Sequence, residues 1–79
     1  MIHELKTWPE YWAEIFFGHK TFEVRQNDRD YKIGDKLILC EWDNDKKEYT
    51  GRQLARTITY ILEGGQFGIE KGAVVMSIQ

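Results

Sequence analysis

The stretch Thr7-Trp8-Pro9-Glu10-Tyr11-Trp12-Ala13-Glu14-Ile15-Phe16-Phe17-Gly18-His19-Lys20-Thr21-Phe22-Glu23-Val24-Arg25 changes its period in mid-course. Trp8, Tyr11, Trp12, Ile15 and Phe16 fall at i, i+3, i+4, i+7 and i+8, the apolar stripe of an amphipathic helix. Thr7 stands where a helix cap belongs, with Glu10 three residues later at capping-box spacing and Pro9 in the tolerant first turn. Gly18 is placed to end the helix in a left-handed conformation. From Lys20 to Gln26 the period is two, so Thr21, Glu23 and Arg25 share one face of a strand and Phe22 and Val24 the other. The apolar pair is expected in the core. The charged face is either a solvated surface or the floor of a site.

Working outward, His3-Glu4-Leu5-Lys6 reads as a brief first strand, and Gln26-Asn27-Asp28-Arg29-Asp30 is polar turn material. Lys36 to Trp42 is a strand partly buried on both faces. Asp43 to Lys47 is a solvated hairpin tip, and the β-rich run 53–62 gives a long strand. Gly64 to Gly68 forms a loop, and Ala73 to Ile78 a final, mostly buried strand. One helix followed by five or six short, mostly antiparallel strands predicts a single α+β domain over residues 1–79, its sheet curled into a small β-barrel with the N-terminal helix packed beside it.

Eleven basic residues against thirteen acidic ones give a net charge of −2 over 79 residues. That balance argues against nonspecific coating of a duplex, which needs a dense basic face. A lone cysteine, Cys40, makes no internal disulfide, and no Cys/His spacing resembles a metal site. No apolar run reaches the roughly 18 residues of a spanning helix. The expectation is a cytoplasmic protein without metal or cofactor and without a membrane anchor.

Gly18-His19-Lys20-Thr21-Phe22-Glu23-Val24-Arg25 resembles the Gly-x-Lys-x-x-Glu-x-Arg motif of ASCH domains (activating signal cointegrator homology), members of the PUA-like superfamily. The flanking segments Asn27-Asp28-Arg29, Ile33-Gly34-Asp35, Glu41-Trp42, Tyr49-Thr50-Gly51-Arg52 and Val74-Val75 extend the resemblance over nearly the whole chain. It implies a PUA-like barrel with a polar cleft between barrel and helix, and single-stranded RNA or a nucleotide-like small molecule as ligand. Some small relatives of that group are amidohydrolases acting on acetylated cytidine. They use the motif Lys, a Thr two positions before the motif Arg, and a distant Glu. Here the position two before Arg25 is Glu23, and Glu41, Glu63 and Glu70 are equal candidates for the distant carboxylate. A protein-interaction module is the third reading.

The candidate ligand-binding residues are Lys20, Glu23 and Arg25 of the motif, together with His3, Lys6, Asn27, Arg29, Arg52 and Arg56; Lys20 is the catalytic candidate if the protein is an enzyme. Lys20 offers a compact charge and Arg25 a planar fork suited to a phosphate or a base edge. Glu23 can accept from a base amino group or hold the guanidinium. Arg52 and Arg56, four apart on one strand, share a face and can extend a basic site. Trp42 and Tyr49 are expected to pack across a hairpin.

Overall fold

In a computed structural model describing residues 1–79, the chain forms β1 (Ile2–Thr7), α1 (Pro9–Phe16), β2 (Phe22–Gln26), β3 (Lys36–Asp43), β4 (Glu48–Glu63) and β5 (Ala73–Ile78). The five strands make one open mixed sheet in the order β1-β3-β4-β5-β2. β1 runs parallel to β3, and the other neighbours are antiparallel. The 16-residue β4 binds β3 through its first part and β5 through its last, with irregularities in register opposite Glu41 and at Thr59. No helix is long and apolar enough to cross a membrane.

The expected barrel is not closed. The sheet curls until its two edge strands approach each other, and the Arg25 guanidinium donates to the Lys6 carbonyl at 2.9 Å. Yet no backbone hydrogen bond joins β1 to β2. The inward face of β2 carries charged side chains that need partners and room, so a side-chain bridge stands where a ladder would have sealed the seam.

The faces of β2 are also reversed from expectation. Glu23 is 4% exposed, whereas Phe22 and Val24 are 45% and 55% exposed. Register explains the reversal. Glu23 pairs with Met76 and Arg25 with Val74, and both partners are buried; Phe22 and Val24 pair with Ser77 and Val75 on the outer face. The alternation of β5 is thus imposed on β2, because paired residues project from the same side of a sheet.

α1 follows from its sequence with one correction. Trp8, confined to extended backbone by the following Pro9, is the N-cap, and no side chain caps the helix. Thr7 therefore ends β1 rather than capping α1. Trp12 and Ile15 enter the core, and Trp12 Nε1 donates to the Leu39 carbonyl at 3.0 Å. Trp8, Tyr11 and Phe16, the rest of the stripe, stay about half exposed. The core itself unites Leu5, Leu37, Leu39, Ile58, Met76 and Ile78 with those two helix residues, Tyr31 and Val74.

His3 and Asp35 brace the opposite end. His3, 4% exposed, meets Asp35 Oδ2 through Nε2 at 2.8 Å and stands edge-on to Tyr31 at 4.8 Å. Asp35 also accepts from the amino terminus and from the Lys32 amide. These donors, the imidazole foremost, hold its carboxyl at about 2, below the ordinary 3.8. Because the folded value lies below the unfolded one, protonation favours the unfolded chain. This stabilisation is complete above the unfolded value and is lost as pH falls from 3.8 towards about 2. In thermal melts followed by circular dichroism, Asp35→Asn is expected to lower the midpoint at neutral pH and to flatten its fall across that window.

Candidate functional site

The turn after α1 delivers Lys20. Gly18 has φ +81°, and the amides of Gly18, His19 and Lys20 return to the Ile15 and Glu14 carbonyls. Only glycine adopts that backbone without strain. The reversal carries the Lys20 side chain back over β2, where its Nζ donates to Glu23 Oε1 at 2.7 Å and to the Phe22 carbonyl at 2.7 Å. On the other side, Arg25 Nε donates to Glu23 Oε2 at 2.9 Å. One buried carboxylate thus joins two cations that are themselves only 20% and 27% exposed.

Donor accounting shows what the triad leaves over. An ammonium has three hydrogens and a guanidinium five. Lys20 uses two and Arg25 two, at Nε and at one Nη. One hydrogen of Lys20 and three of Arg25 therefore remain for a ligand. These groups line a cleft of about 350 Å³ between β1, α1 and β2, walled also by Thr7, Trp8, Tyr11 and Val24. Thr7 is 3% exposed and its hydroxyl has no hydrogen-bond partner. A buried hydroxyl without a partner costs about 1–3 kcal/mol, so a group that bonds it on arrival recovers that penalty. The Trp8 and Tyr11 rings lie nearly parallel, 17° apart with centroids at 6.3 Å, and both are half exposed.

A second cleft of about 390 Å³ lies on the other side of Arg25, walled among others by Lys6, Arg29, Tyr31 and Tyr49. The Lys6 ammonium sits 3.9 Å above the Trp42 ring, and Trp42 packs edge-on against Tyr49 at 4.9 Å as the hairpin pairing suggested. Asn27 accepts the Tyr31 amide at 3.0 Å and so fixes the turn that seats this tyrosine.

The remaining candidates lie elsewhere. His3 is committed to Asp35. Arg52 forks onto the buried Glu41 at 2.9 and 2.8 Å and stacks over Trp12 at 4.7 Å, while Arg56 donates to the Ile15 carbonyl at the end of α1. Both arginines brace the helix and line neither cleft. Arg52 and then Thr50 hold the Glu41 carboxyl below the usual carboxylate range against the opposing effect of burial. Glu41 is thereby engaged by Arg52 and Thr50, and Glu63 and Glu70 lie on the exposed surface. Burial, with a smaller effect of Glu4, pushes the Cys40 thiol up, which leaves it an unreactive core residue. Sequence reading missed Thr7, Tyr11 and Tyr31. Thr7 carried the misleading signal of a capping box, Tyr11 read as part of the apolar stripe, and Tyr31, just past the polar turn at 26–30, carried no signal of its own.

The chain belongs to the family described as Domain of unknown function (DUF3850), whose profile matches residues 2–78. It is also similar to an uncharacterised 12.9 kDa protein of Escherichia phage P2, from the GpA 3′ region, with 39% identity over 62 residues. That match covers 78% of this chain and 55% of the phage protein, so the chain spans about half the length of that relative.

The triad makes an energetic demand of its own. Arg25→Met leaves Glu23 buried with Lys20 alone and is expected to cost about 2–3 kcal/mol in urea denaturation. Adding Glu23→Gln to that variant should recover about half of the loss, whereas strictly additive losses would show that the two side chains are uncoupled.

Proposed function

We propose that the cleft between β1, α1 and β2 binds a nucleotide-type ligand. The observation that carries this reading is that Lys20 and Arg25, both with hydrogens to spare, line one cleft with Thr7, whose buried hydroxyl has no partner. Both cations are fixed on Glu23, so their remaining hydrogens are oriented before a ligand arrives and little side-chain entropy is lost on binding. Within this cleft two positive charges face one negative, a local excess of +1 in a chain of net −2. Such donors suit phosphate oxygens or base carbonyls. The exposed faces of Trp8 and Tyr11 suit a base ring. The volume falls in the range of small-molecule sites, about 300–1,000 Å³. The resemblance of residues 18–25 to the ASCH motif supports the same reading.

Hydrolysis of an acetylated cytidine-type nucleoside is the second reading. One observation favours it: Lys20, Glu23 and Thr7 line a single cleft, so a Lys, a carboxylate and a Thr meet although Thr7 comes from β1 and not from the motif. Weighing against it, Lys20 Nζ donates two of its three hydrogens to oxygen acceptors, which ties it to Glu23 and Phe22 rather than freeing it to attack a substrate.

Trp8 reports on occupancy of the cleft, since Trp12 is buried and Trp42 lies under Lys6. Titration with the four nucleoside 5′-monophosphates and N4-acetylcytidine is expected to give a saturable fluorescence change with at least one of them. Lys20→Ala and Arg25→Ala should each weaken it by about tenfold or more, and Thr7→Val several-fold. Lys46→Ala, on the hairpin tip, should leave it unchanged. Acetate release that disappears in Lys20→Ala selects the hydrolase, and saturation without product selects the binding module. No saturable change with any of the five would overturn both readings.

A further inference from the structure

Arg25 is the shared wall of the two clefts. The second cleft repeats the chemistry of the first. Tyr31 is only 4% exposed as a residue and lines the second cleft; its hydroxyl makes no hydrogen bond within the chain and, unlike that of Thr7, is not sealed from solvent. Thr7, whose buried hydroxyl also has no partner, lines the first cleft on the other side of Arg25. Each cleft therefore sets one hydroxyl without a partner in the chain, that of Thr7 buried and that of Tyr31 open to solvent, on residues that line it together with Arg25. Cations converge there as well: Arg29 lines the second cleft and is committed to no carboxylate, and Lys6 is held in place over Trp42. Both Arg25 and Arg29 act on the Tyr31 hydroxyl, opposing the larger effect of burial, which pushes its pKa up and keeps it a proton donor. Glu4 and Asp28 lie on the rim, so three positive charges face two negative ones.

A third depression, beside Val24 and Ile69, also touches Arg25, but it has no other basic residue and contains Glu70. A ligand that leaves the first cleft past Arg25 therefore meets matching chemistry in one direction only.

From this juxtaposition we infer that the ligand is larger than one nucleotide: a phosphodiester-linked chain whose backbone crosses Arg25, with one unit in each cleft. The inference rests on the nucleotide reading of the first cleft. In it, the three open hydrogens of Arg25 hold the linking phosphate at the wall that the two clefts share. Arg29 and Tyr31 receive the second unit, and the half-exposed Tyr49 ring offers a face for its base. Duplexes are excluded, because a paired and stacked strand cannot place successive units in two separate recesses.

The test compares each nucleoside 5′-monophosphate with the corresponding 5′-phosphorylated dinucleotide, using the Trp8 fluorescence change at constant salt. The dinucleotide is expected to bind about tenfold more tightly. Arg29→Ala, an exposed site, and Tyr31→Phe, which keeps the ring packed against His3, should each remove most of that gain and leave monophosphate affinity unchanged. A dinucleotide that binds no more tightly than the monophosphate, or a gain that survives both variants, would overturn the two-cleft inference while leaving the first-cleft reading standing. Failure of both ligands to bind would overturn the first-cleft reading, and this inference with it.

Discussion

A carboxylate on the core face of a sheet is the constraint from which the rest of this structure follows. Glu23 projects from β2 on the same side as the buried Met76 and Val74 of β5. Burying an ionised carboxylate there is expensive unless its oxygens are answered by donors. Lys20 answers one oxygen and Arg25 the other. Lys20 can do so only because Gly18 turns the chain back immediately after α1. Arg25 does so while reaching across to the Lys6 carbonyl of β1. The charges that satisfy Glu23 thus occupy the place where β1 and β2 would otherwise have paired.

Sheet closure and site formation are two aspects of one event. An apolar inner face on β2 would let the curled sheet seal itself with a fifth ladder, the barrel that the strand count suggests. The charged inner face keeps the seam open at its centre, and α1 covers one side of the gap. What lies between is a cleft floored by fixed cations and edged by aromatic rings. Thr7, the last residue of β1, lines this cleft, and its buried hydroxyl finds no partner within the chain.

Much of this was legible in the sequence, for definite reasons. Helix α1, the left-handed Gly18, the hairpin at 43–47 and the strands from Lys36 onward all follow from period, propensity and turn chemistry. What failed was the facing of β2. Alternation reveals which residues share a face but not which face meets the core, and hydrophobicity alone assigned Phe22 and Val24 inward. That choice was overruled by the partner strand, whose alternation is fixed by three buried residues at 74, 76 and 78. Thr7 was misplaced for a similar reason. Its capping-box spacing is genuine, but the restriction that Pro9 places on Trp8 moves the cap by one residue. Within the site, Lys20, Glu23 and Arg25 are brought together as the motif suggested. Arg52 and Arg56 share a face as strand geometry requires, but both turn to α1, Arg52 onto the Trp12 ring and Arg56 onto the Ile15 carbonyl.

The most direct test of the account is a nitrogen-15 NMR spectrum of the protein, with its Arg side chains resolved, recorded during titration with a nucleoside 5′-monophosphate. A guanidinium locked on a buried carboxylate should show a distinct, slowly exchanging Arg25 Nε–H signal before ligand is added. On titration, shifts should concentrate at Thr7, Trp8, Tyr11, Lys20 and residues 23–25, with that signal still protected. An Arg25 Nε–H that exchanges as fast as those of exposed arginines, or shifts gathered on the far hairpin at 43–47, would contradict the claim that Glu23 organises the open seam into a binding site.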